Sequence, residues 1–357
     1  MNDRGEVRIG ATAGAEEYAV RMRRFAVTDA LDRLLGARRI EPSELESFGR
    51  ALAQIHARLP AAPAAAAWGS PAEVQALMIR NLSECAAAVA PFEIADDILA
   101  LRDSLERRLR VAAPWMAVRR AAGRIRECHG DLHSGNMARL RTRLTAFDCL
   151  EFDPALRWID VADEIAFLSS DLAVRDRPLH AHAFRSGYLA ESGDYHACRL
   201  LRLYEAHRAL VRAKVAALSA AESADEAARR ARRDDCERRI AHAAFCLADR
   251  TPCLFLMSGL SGSGKTWIAR QLAERLAAVH IRSDVERKRL TGLREYESSR
   301  AGLAQDIYSS RMSAAVYDDL ARAAEDLLSG GIPAVIDAAF LRRAQRTRFV
   351  ELAARLG

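Results

Sequence analysis

A glycine-rich segment in the last third of the sequence has the spacing of a phosphate-binding loop. It runs from Gly259 to Thr266, reads GLSGSGKT and matches GxxxxGK[ST] in full. Glycines allow successive backbone N–H groups to point at one anion, and the helix that follows directs its positive end at the same anion. The pattern predicts that Lys265 reaches the β and γ phosphates of a nucleotide and that the Thr266 hydroxyl binds Mg²⁺. The predicted phosphate-binding residues are Gly259, Ser261, Gly262, Ser263, Gly264, Lys265 and Thr266.

The use of lysine supports this interpretation. Only three of the 54 basic residues are lysines, at positions 214, 265 and 288, and the others are arginines. A lysine at the required position of the motif is therefore informative. The alternative is a Gly/Ser linker that matches the pattern by chance. Against it, the flanking segments read as a strand before the loop and a helix after it.

Charged side chains follow two further predicted strands. Asp337 ends a strongly apolar segment, where a carboxylate suits a contact to Mg²⁺ or to water bound by it. Asp284, Arg287 and Lys288 follow a strand predicted at 279–282, and ligands of parallel sheets gather beyond the carboxyl ends of strands. Asp284 is a candidate acceptor of a proton from a substrate hydroxyl, and the two basic residues are candidates to hold an anionic group. The alternatives are helix caps for the aspartates and a solvated helical turn for the basic pair.

A second motif, HGDLHSGN, occupies residues 129–136. Its Asp131 and Asn136 have the D-x-x-x-x-N spacing of a phosphotransfer catalytic loop, in which the aspartate deprotonates the acceptor hydroxyl and the asparagine binds Mg²⁺. Asp148 follows after a predicted hairpin, at the place of a second metal ligand. The pattern therefore predicts Asp131 as the base and Asn136 and Asp148 as metal ligands. The two histidines of the motif are interpreted as structural supports of the loop.

The elements that must position these residues differ along the chain. Two strand-like pieces are predicted around residues 7–9 and 18–22. Most of 27–122 and of 159–217 has helical periodicity, with a short strand and a hairpin between these two stretches. Ser43 followed by Glu46 predicts a capping box at the start of one helix.

The pattern changes near residue 251, where strands and helices begin to alternate. Three strands are predicted, at 253–258, 279–282 and 332–337. A long helix is predicted at 303–328, ending before Gly330-Gly331. Between the two parts, residues 218–250 carry many charges of both signs and are interpreted as a solvated helical connector.

Length and composition limit the class of protein. The 357 residues exceed one ordinary core and predict two domains. The net charge of +6 permits anionic ligands, but aromatic residues form only 6% of the chain and do not alternate with basic ones, which argues against a nucleic-acid groove. Seven scattered cysteines form no CxxC pair, and the sequence has neither an apolar signal core nor an apolar run of about 18 residues. These features predict a cytoplasmic protein without a membrane span.

The first part of the chain, over about residues 5–217, resembles the aminoglycoside phosphotransferase and choline-kinase-like branch of the protein-kinase fold. The resemblance rests on HGDLHSGN, on 147–151, on 157–160 and on 167–168. It implies a largely helical kinase-like C-lobe. A complete N-lobe would also carry five strands and a lysine that pairs with the α and β phosphates. No lysine occurs before Lys214, so this anchoring lysine is absent.

The part from 252 to the end resembles small-molecule P-loop kinases, the group of gluconate kinase and zeta-toxin-like enzymes, through GLSGSGKT, SDVERK and VIDAAFLRRAQR. The resemblance implies five parallel strands and an arginine-bearing lid, of which three strands are recognisable. The combined pattern resembles bacterial two-domain proteins that join a phosphotransferase to an ATP-binding kinase domain. Because both ends look truncated, we expect this chain to be a piece of a longer protein, with a minimised protein as the alternative.

These observations define the predicted architecture. The fold class is mixed α+β and α/β, with a kinase-like C-lobe over 1–217, a connector over 218–250 and a partial P-loop α/β parallel-sheet domain over 251–357. The strand before the phosphate loop is expected at one edge of its sheet, where its exposure predicts self-association.

Three functions compete at this point. The first is an ATP-dependent phosphotransferase that uses Mg²⁺ and acts on a small hydroxyl-bearing substrate, with ATP at the C-terminal loop. The second is a nucleotide-binding regulatory protein whose first domain is a pseudokinase without turnover. The third, a nucleic-acid kinase or binder, has the least support.

Overall fold

A computed structural model describes residues 24–92, 94–260, 262–293 and 310–356. The strand-like pieces predicted around 7–9 and 18–22 lie outside these residues, and so does Ser261 of the phosphate loop. No helix of the described ranges combines the length and the apolar character that crossing a bilayer requires.

Helices form most of the N-terminal part, as the periodicity predicts. They are α1 (Leu31–Gly36), α2 (Pro42–Arg58), α3 (Pro71–Val89), α4 (Ala95–Leu99), α5 (Arg102–Ala121), α6 (Val161–Val174), α7 (Pro178–Ser192), α8 (Cys198–Ala221) and α9 (Glu226–Leu247). The predicted capping box at Ser43 and Glu46 is wrong by two residues, because the box at the start of α2 joins Glu41 to Glu44. Pro42 occupies the first helical position there, where its fixed φ and missing N–H are tolerated best.

Two short antiparallel pairs interrupt these helices. Strand β1 (Ile125–Glu127) pairs with β4 (Trp158–Asp160), and β2 (Met137–Leu140) pairs with β3 (Arg143–Ala146). The strand and the hairpin predicted here are confirmed, whereas the sequence analysis assigned the residues of β4 to the start of a helix. The motif HGDLHSGN connects β1 to β2, so two separate pairs hold its ends.

The C-terminal part alternates strands and helices, as predicted. Its elements are β5 (Leu254–Met257), α10 (Lys265–Leu276), β6 (Val279–Arg282), α11 (Ser283–Leu290), α12 (Ser310–Ser329), β7 (Ala334–Asp337) and α13 (Arg343–Leu356). The three strands are parallel in the order β5-β7-β6. The expected edge position of the strand before the phosphate loop is therefore confirmed within the described residues, and the strand that ends in Asp337 is central.

Helix α9 departs from the expected solvated connector. One of its faces packs against α8 and buries Cys236, Ile240 and Ala243. Its Arg239 is also buried and donates hydrogen bonds to Asp171 on α6 and to Asp235 on its own helix. Only the opposite face of α9 is solvated. Some of the charged side chains of this helix form buried ion pairs instead of facing water.

The two parts of the chain share one apolar core. A single cluster of buried side chains extends from α1 to α13. At the contact, the Tyr195 hydroxyl donates to the Glu286 carboxylate at 2.8 Å, and both residues are buried. An added Cβ at Gly330 would lie within 3.0 Å of the Cys198 carbonyl, so the turn after α12 lies directly against the start of α8.

Glycine is required where α2 and α7 cross. An added Cβ at Gly187 would lie within 3.0 Å of the Glu46 carbonyl, and one at Gly49 would meet the Phe184 carbonyl in the same way. Both obstacles are backbone atoms, which cannot move aside as flexible side chains do. We expect Gly187→Ala to lower the free energy of unfolding by about 1–3 kcal/mol, the usual cost of overpacking.

Denaturant unfolding of this variant tests the close crossing. Gly36→Ala is the matched control, because an added Cβ at Gly36 meets nothing within 4 Å. Equal stability of the Gly187 variant and the parent chain would show that the two helices do not approach this closely.

Buried histidines predict a loss of stability at mildly acidic pH. Burial, with the positive charge of Arg126 adding to it, lowers the pKa of His56 to about 3. Burial likewise lowers the pKa of His207 to about 3 and of His182 to about 4. Between these values and 6.5 the unfolded chain binds more protons than the folded one, so stability falls as pH falls through this window.

Replacing His56 with glutamine should flatten this dependence. One histidine contributes a slope of up to about 1.4 kcal/mol per pH unit, which the variant would lack. Free energies of unfolding measured from pH 4 to pH 7 for both chains would check this. Parallel pH profiles would mean that His56 has the same pKa in the folded and unfolded states, contrary to this expectation.

Candidate functional sites

The phosphate loop follows edge strand β5 and leads directly into α10. Gly259, Gly262 and Gly264 have φ angles of +143°, +81° and +82°, in a region that side chains other than glycine rarely adopt. The backbone N–H of Gly259 donates to the Ala339 carbonyl at 3.1 Å, which joins the start of the loop to the segment after β7. The backbone conformation at these three positions is therefore one that favours glycine, as the motif predicts.

Polar side chains of the loop fold back over it. The Lys265 ammonium donates to the Leu260 carbonyl at 2.5 Å, and the Ser263 hydroxyl donates to the same oxygen at 2.9 Å. Lys265 is also the first residue of α10, so the positive end of this helix lies at the loop. The ammonium and the helix end are thus directed at the same small region.

Asp337 lies at the end of the central strand, close to Thr266. In the sheet register it is opposite Met257 of β5 and Arg282 of β6. Burial raises the pKa of its carboxyl group, but its contacts with His280 and Thr266 and the charge of Arg282 together outweigh burial and hold the pKa below its usual value. The distance from His280 Nε2 to the Asp337 carboxylate is 3.3 Å. A buried, ionised carboxylate beside the threonine hydroxyl is the donor set that Mg²⁺ prefers.

The alternative interpretation of Asp337 as a helix cap is wrong, because α13 begins at Arg343, six residues later. Asp284 is not a cap either. The N-cap residue of α11 is Arg282, and Asp284 lies exposed in the first turn with its carboxylate accepting from Arg282 at 2.7 Å. Arg287 and Lys288 lie partly buried further along the same helix.

Asp131 lies between two partners of its own motif. Its carboxylate accepts from the Asn136 amide at 2.8 Å and is 3.3 Å from His133 Nε2. Burial raises the pKa of Asp131, but hydrogen bonds from His133 and Asn136 help to outweigh burial, and the pKa is below its usual value. The carboxylate is therefore ionised at neutral pH and keeps 29% of its side-chain surface exposed, as a base that must meet a substrate requires.

The HGDLHSGN loop rests on a buried acid that the sequence analysis missed. Glu164 on α6 is completely buried, and its carboxylate accepts from the backbone N–H groups of His129 and Gly130 at 2.9 and 3.1 Å. Arg208 on α8 donates to the Gly130 carbonyl at 3.2 Å while it holds Asp163 through two bonds of 2.7 Å. These contacts fix the backbone of the loop from below.

Asp148 follows Phe147, whose backbone N–H and carbonyl both contact the HGDLHSGN motif. The Phe147 N–H donates to the Asn136 carbonyl at 3.0 Å, and the Phe147 carbonyl is 2.8 Å from His129 Nε2. Asp148 itself is exposed and has a φ of +63°, which is strained for a residue other than glycine. Its backbone therefore lies beside the HGDLHSGN loop, as a metal ligand of that loop would require.

The predicted residues thus fall into two groups. The structure brings Asp131 to Asn136 and Thr266 to Asp337. Among the described residues, the Asp131 carboxylate contacts Asn136 and His133, whereas the Asp284 carboxylate contacts Arg282. The residues that the sequence analysis missed are Glu164, Arg208 and His280.

Comparison with known proteins supports the two-domain architecture. A family model described as "Phosphotransferase enzyme family" matches residues 9–201, and one described as "AAA domain" matches residues 254–357. The uncharacterized proteins Rv2004c of Mycobacterium tuberculosis and Mb2027c of Mycobacterium bovis are 29% identical over 326 residues. The aligned region is 91% of this chain but 64% of each relative, so the chain spans less than two thirds of their length.

No solved structure matches the chain at a significant level. The phosphotransferase model covers more than half of the 357 residues, and the model for the C-terminal part begins at Leu254, the first residue of β5. The chain belongs to the phosphotransferase enzyme family and carries a P-loop AAA domain after its kinase-like part.

Proposed function

We propose that this chain is an ATP-dependent kinase that transfers a phosphoryl group to a small hydroxyl-bearing substrate and binds Mg-ATP at its C-terminal phosphate loop. The observation that carries the proposal is the backbone of the phosphate loop, whose three glycines have positive φ angles. The Lys265 ammonium lies over this loop, and the buried Asp337 ends the central strand near Thr266.

Each residue of this loop has a proposed task. The backbone N–H groups of 259–264 surround the phosphates, and Lys265 neutralises the charge on the β and γ phosphates. Thr266 and Asp337 hold Mg²⁺, which supplies charge neutralisation at the transferred group. His280 positions Asp337 through the hydrogen bond between them. Asp284 is the proposed base of this domain, with Arg287 and Lys288 holding an anionic part of the acceptor.

The kinase-like part contributes a second proposed centre. Asp131 accepts the proton of an acceptor hydroxyl, since its carboxylate is ionised and partly exposed. The Asn136 amide nitrogen donates a hydrogen bond to the Asp131 carboxylate. The Asn136 amide oxygen can therefore bind a cation. Asp148 is the proposed second metal ligand. Glu164 and Arg208 keep the loop in place without meeting the substrate.

The proposal also includes the domain boundaries, the class of acceptor and the cellular compartment. We assign residues 1–217 to the kinase-like domain, 218–250 to a connector whose helix packs on that domain, and 251–357 to the P-loop domain. The acceptor is a small molecule rather than a nucleic acid or a membrane lipid. The cytoplasm supplies ATP and keeps all seven cysteines, which are free, in their reduced form.

A second candidate is a nucleotide-binding regulatory protein without turnover. The observation in its favour is the absence of any lysine before Lys214, since a kinase-like domain normally anchors the α and β phosphates with one. In this case the first domain would be a pseudokinase, and ATP at the phosphate loop would act as a signal.

Transfer of labelled γ-phosphate separates the two candidates. The chain is incubated with Mg-ATP and a panel of small alcohols, amino alcohols and sugars, with and without EDTA. We expect phosphorylation of at least one compound, reduced to background by EDTA because both centres need the metal. Tight binding of ATP without transfer to any compound, and without hydrolysis, would favour the regulatory protein.

A further inference from the structure

A cavity of about 380 Å³ lies where the two parts of the chain meet, away from both centres described above. Helices α5 and α8 and the end of α9 form its walls on the kinase-like side. Ser329 and Gly330, at the end of α12, close it on the P-loop side. Its volume is within the range of small-molecule sites.

The lining of this cavity is unusually rich in arginine. It includes Arg107, Arg108, Arg199 and Arg202. Three carboxylates pair with this set: Asp249 with Arg108 at 3.3 Å, and Asp326 and Glu325 with Arg199 at 2.5 and 4.0 Å.

Arg107 and Arg202 have no carboxylate partner within the part of the chain that the structure describes. Arg107 is exposed and donates to the Ser104 hydroxyl at 2.9 Å. The four arginines therefore outnumber the three carboxylates that form ion pairs with them among the described residues, although the charge of Glu205 also acts on Arg202.

Arg202 is the most informative member of the set. Only 7% of it is exposed, and its Nη1 is buried without a hydrogen-bond partner among the described residues. Its other terminal nitrogen donates to the Phe245 and Ala248 carbonyls at the end of α9. Burial, together with the nearby charges of Arg108 and Arg250, lowers the pKa of Arg202. A buried cation with an unused N–H is costly unless an anion accompanies it.

The geometry points to a binding site for a phosphorylated small molecule in this arginine-lined cavity. A guanidinium presents paired N–H groups that match two oxygens of a phosphate. Several guanidiniums around one cavity can therefore bind a ligand that offers several phosphate oxygens. Trp115 adds an aromatic wall, over which the Arg199 guanidinium lies 5.2 Å from the ring centre. The ligand would touch both domains and strengthen their contact. The inference is independent of the proposed function, because no residue of either centre lines the cavity.

Titration calorimetry with inorganic pyrophosphate tests the site. All chains carry Lys265→Ala, which removes the main phosphate contact of the P-loop, and EDTA removes metal-dependent binding. The test variant is Arg107→Ala, since Arg107 supports no other element, and Arg202→Gln is the second. Arg110→Ala is the matched control, an exposed arginine of α5 outside the cavity. Succinate, a dianion without phosphate, is titrated in parallel.

We expect saturable binding of pyrophosphate to the Lys265→Ala chain, weakened about tenfold by each cavity variant and unchanged by the control. Succinate should bind more weakly than pyrophosphate. The inference is overturned if pyrophosphate does not bind, if Arg107→Ala binds as well as its parent chain, or if Arg110→Ala weakens binding equally. Equal affinity for succinate would refute the assignment to phosphate.

Discussion

Replacing Arg119 with leucine should lower the free energy of unfolding by about 3–5 kcal/mol, the usual consequence of removing one partner from a buried ion pair. Arg119 is only 1% exposed and donates four hydrogen bonds of 2.7–2.9 Å, two to Asp160 and two to Asp194. Both carboxylates are also buried. The variant would leave Asp160 in the interior without its cation and Asp194 with only the more distant Arg124, at 3.7 Å.

The arrangement around Arg119 also explains why the loss should reach the catalytic loop. Asp160 ends β4 and caps α6, while Asp194 precedes α8. Arg119 on α5 thus ties together the elements that carry Glu164 and Arg208. Urea unfolding at pH 7 gives the free energy, and Arg110→Leu, at an exposed position of the same helix, is the control. A change below about 1 kcal/mol would mean that water or other residues solvate both aspartates.

Asp131→Asn should reduce phosphoryl transfer at the kinase-like centre by about 10²- to 10⁴-fold, the usual contribution of a general base. The amide has nearly the same shape as the carboxylate and can still contact Asn136, but it cannot accept the proton of the acceptor. Affinity for Mg-ATP should stay within about twofold, because the proposed nucleotide site lies in the other domain.

Initial rates with the best acceptor from the panel provide the measurement. Asp153→Asn is the matched control, since Asp153 lies nearby in the sequence, is partly exposed and its carboxylate accepts from the Ala155 N–H at 2.9 Å. Full transfer by the Asp131 variant would locate the reaction in the P-loop domain, where Asp284→Asn would then be the decisive change.

Local spacing was sufficient to predict the parts of the sites that lie close together in the sequence. Asp131 and Asn136 are five residues apart, so one turn of the loop brings them into contact. Thr266 and Asp337 are far apart in the sequence, yet their proximity followed from a rule of parallel sheets, whose strands end at one edge. The three strands of this sheet were likewise visible as apolar segments between helical patterns.

Supporting residues could not be predicted in this way, because no motif links them to the residues they hold. Glu164 contacts a backbone segment 34 to 35 residues away, and Arg208 contacts Gly130 across 78 residues. The only signal for Glu164 was an acid within the apolar run of α6. His280 gave a similar weak signal, as a polar residue in a buried strand beside Asp337.

Charge also concealed the packing of α9. Cys236, Ile240 and Ala243 have helical spacing, but arginines and acids between them suggested a solvated helix. Arg239 shows why this pattern misleads, since its charge is neutralised inside the protein by Asp171 and Asp235. Composition describes the average surface of a helix and does not identify the face that is buried.

Titration of Mg-ATP into three proteins tests the central claim, that the nucleotide binds at the C-terminal loop. The proteins are the unaltered chain, Lys265→Ala and Asp131→Asn. We predict saturable binding to the chain and to Asp131→Asn, and a loss of about a hundredfold or more in Lys265→Ala, since removing a contact between an ammonium and two phosphates costs about 3 kcal/mol. Binding that survives in Lys265→Ala with unchanged affinity would contradict the account and assign ATP to the kinase-like domain.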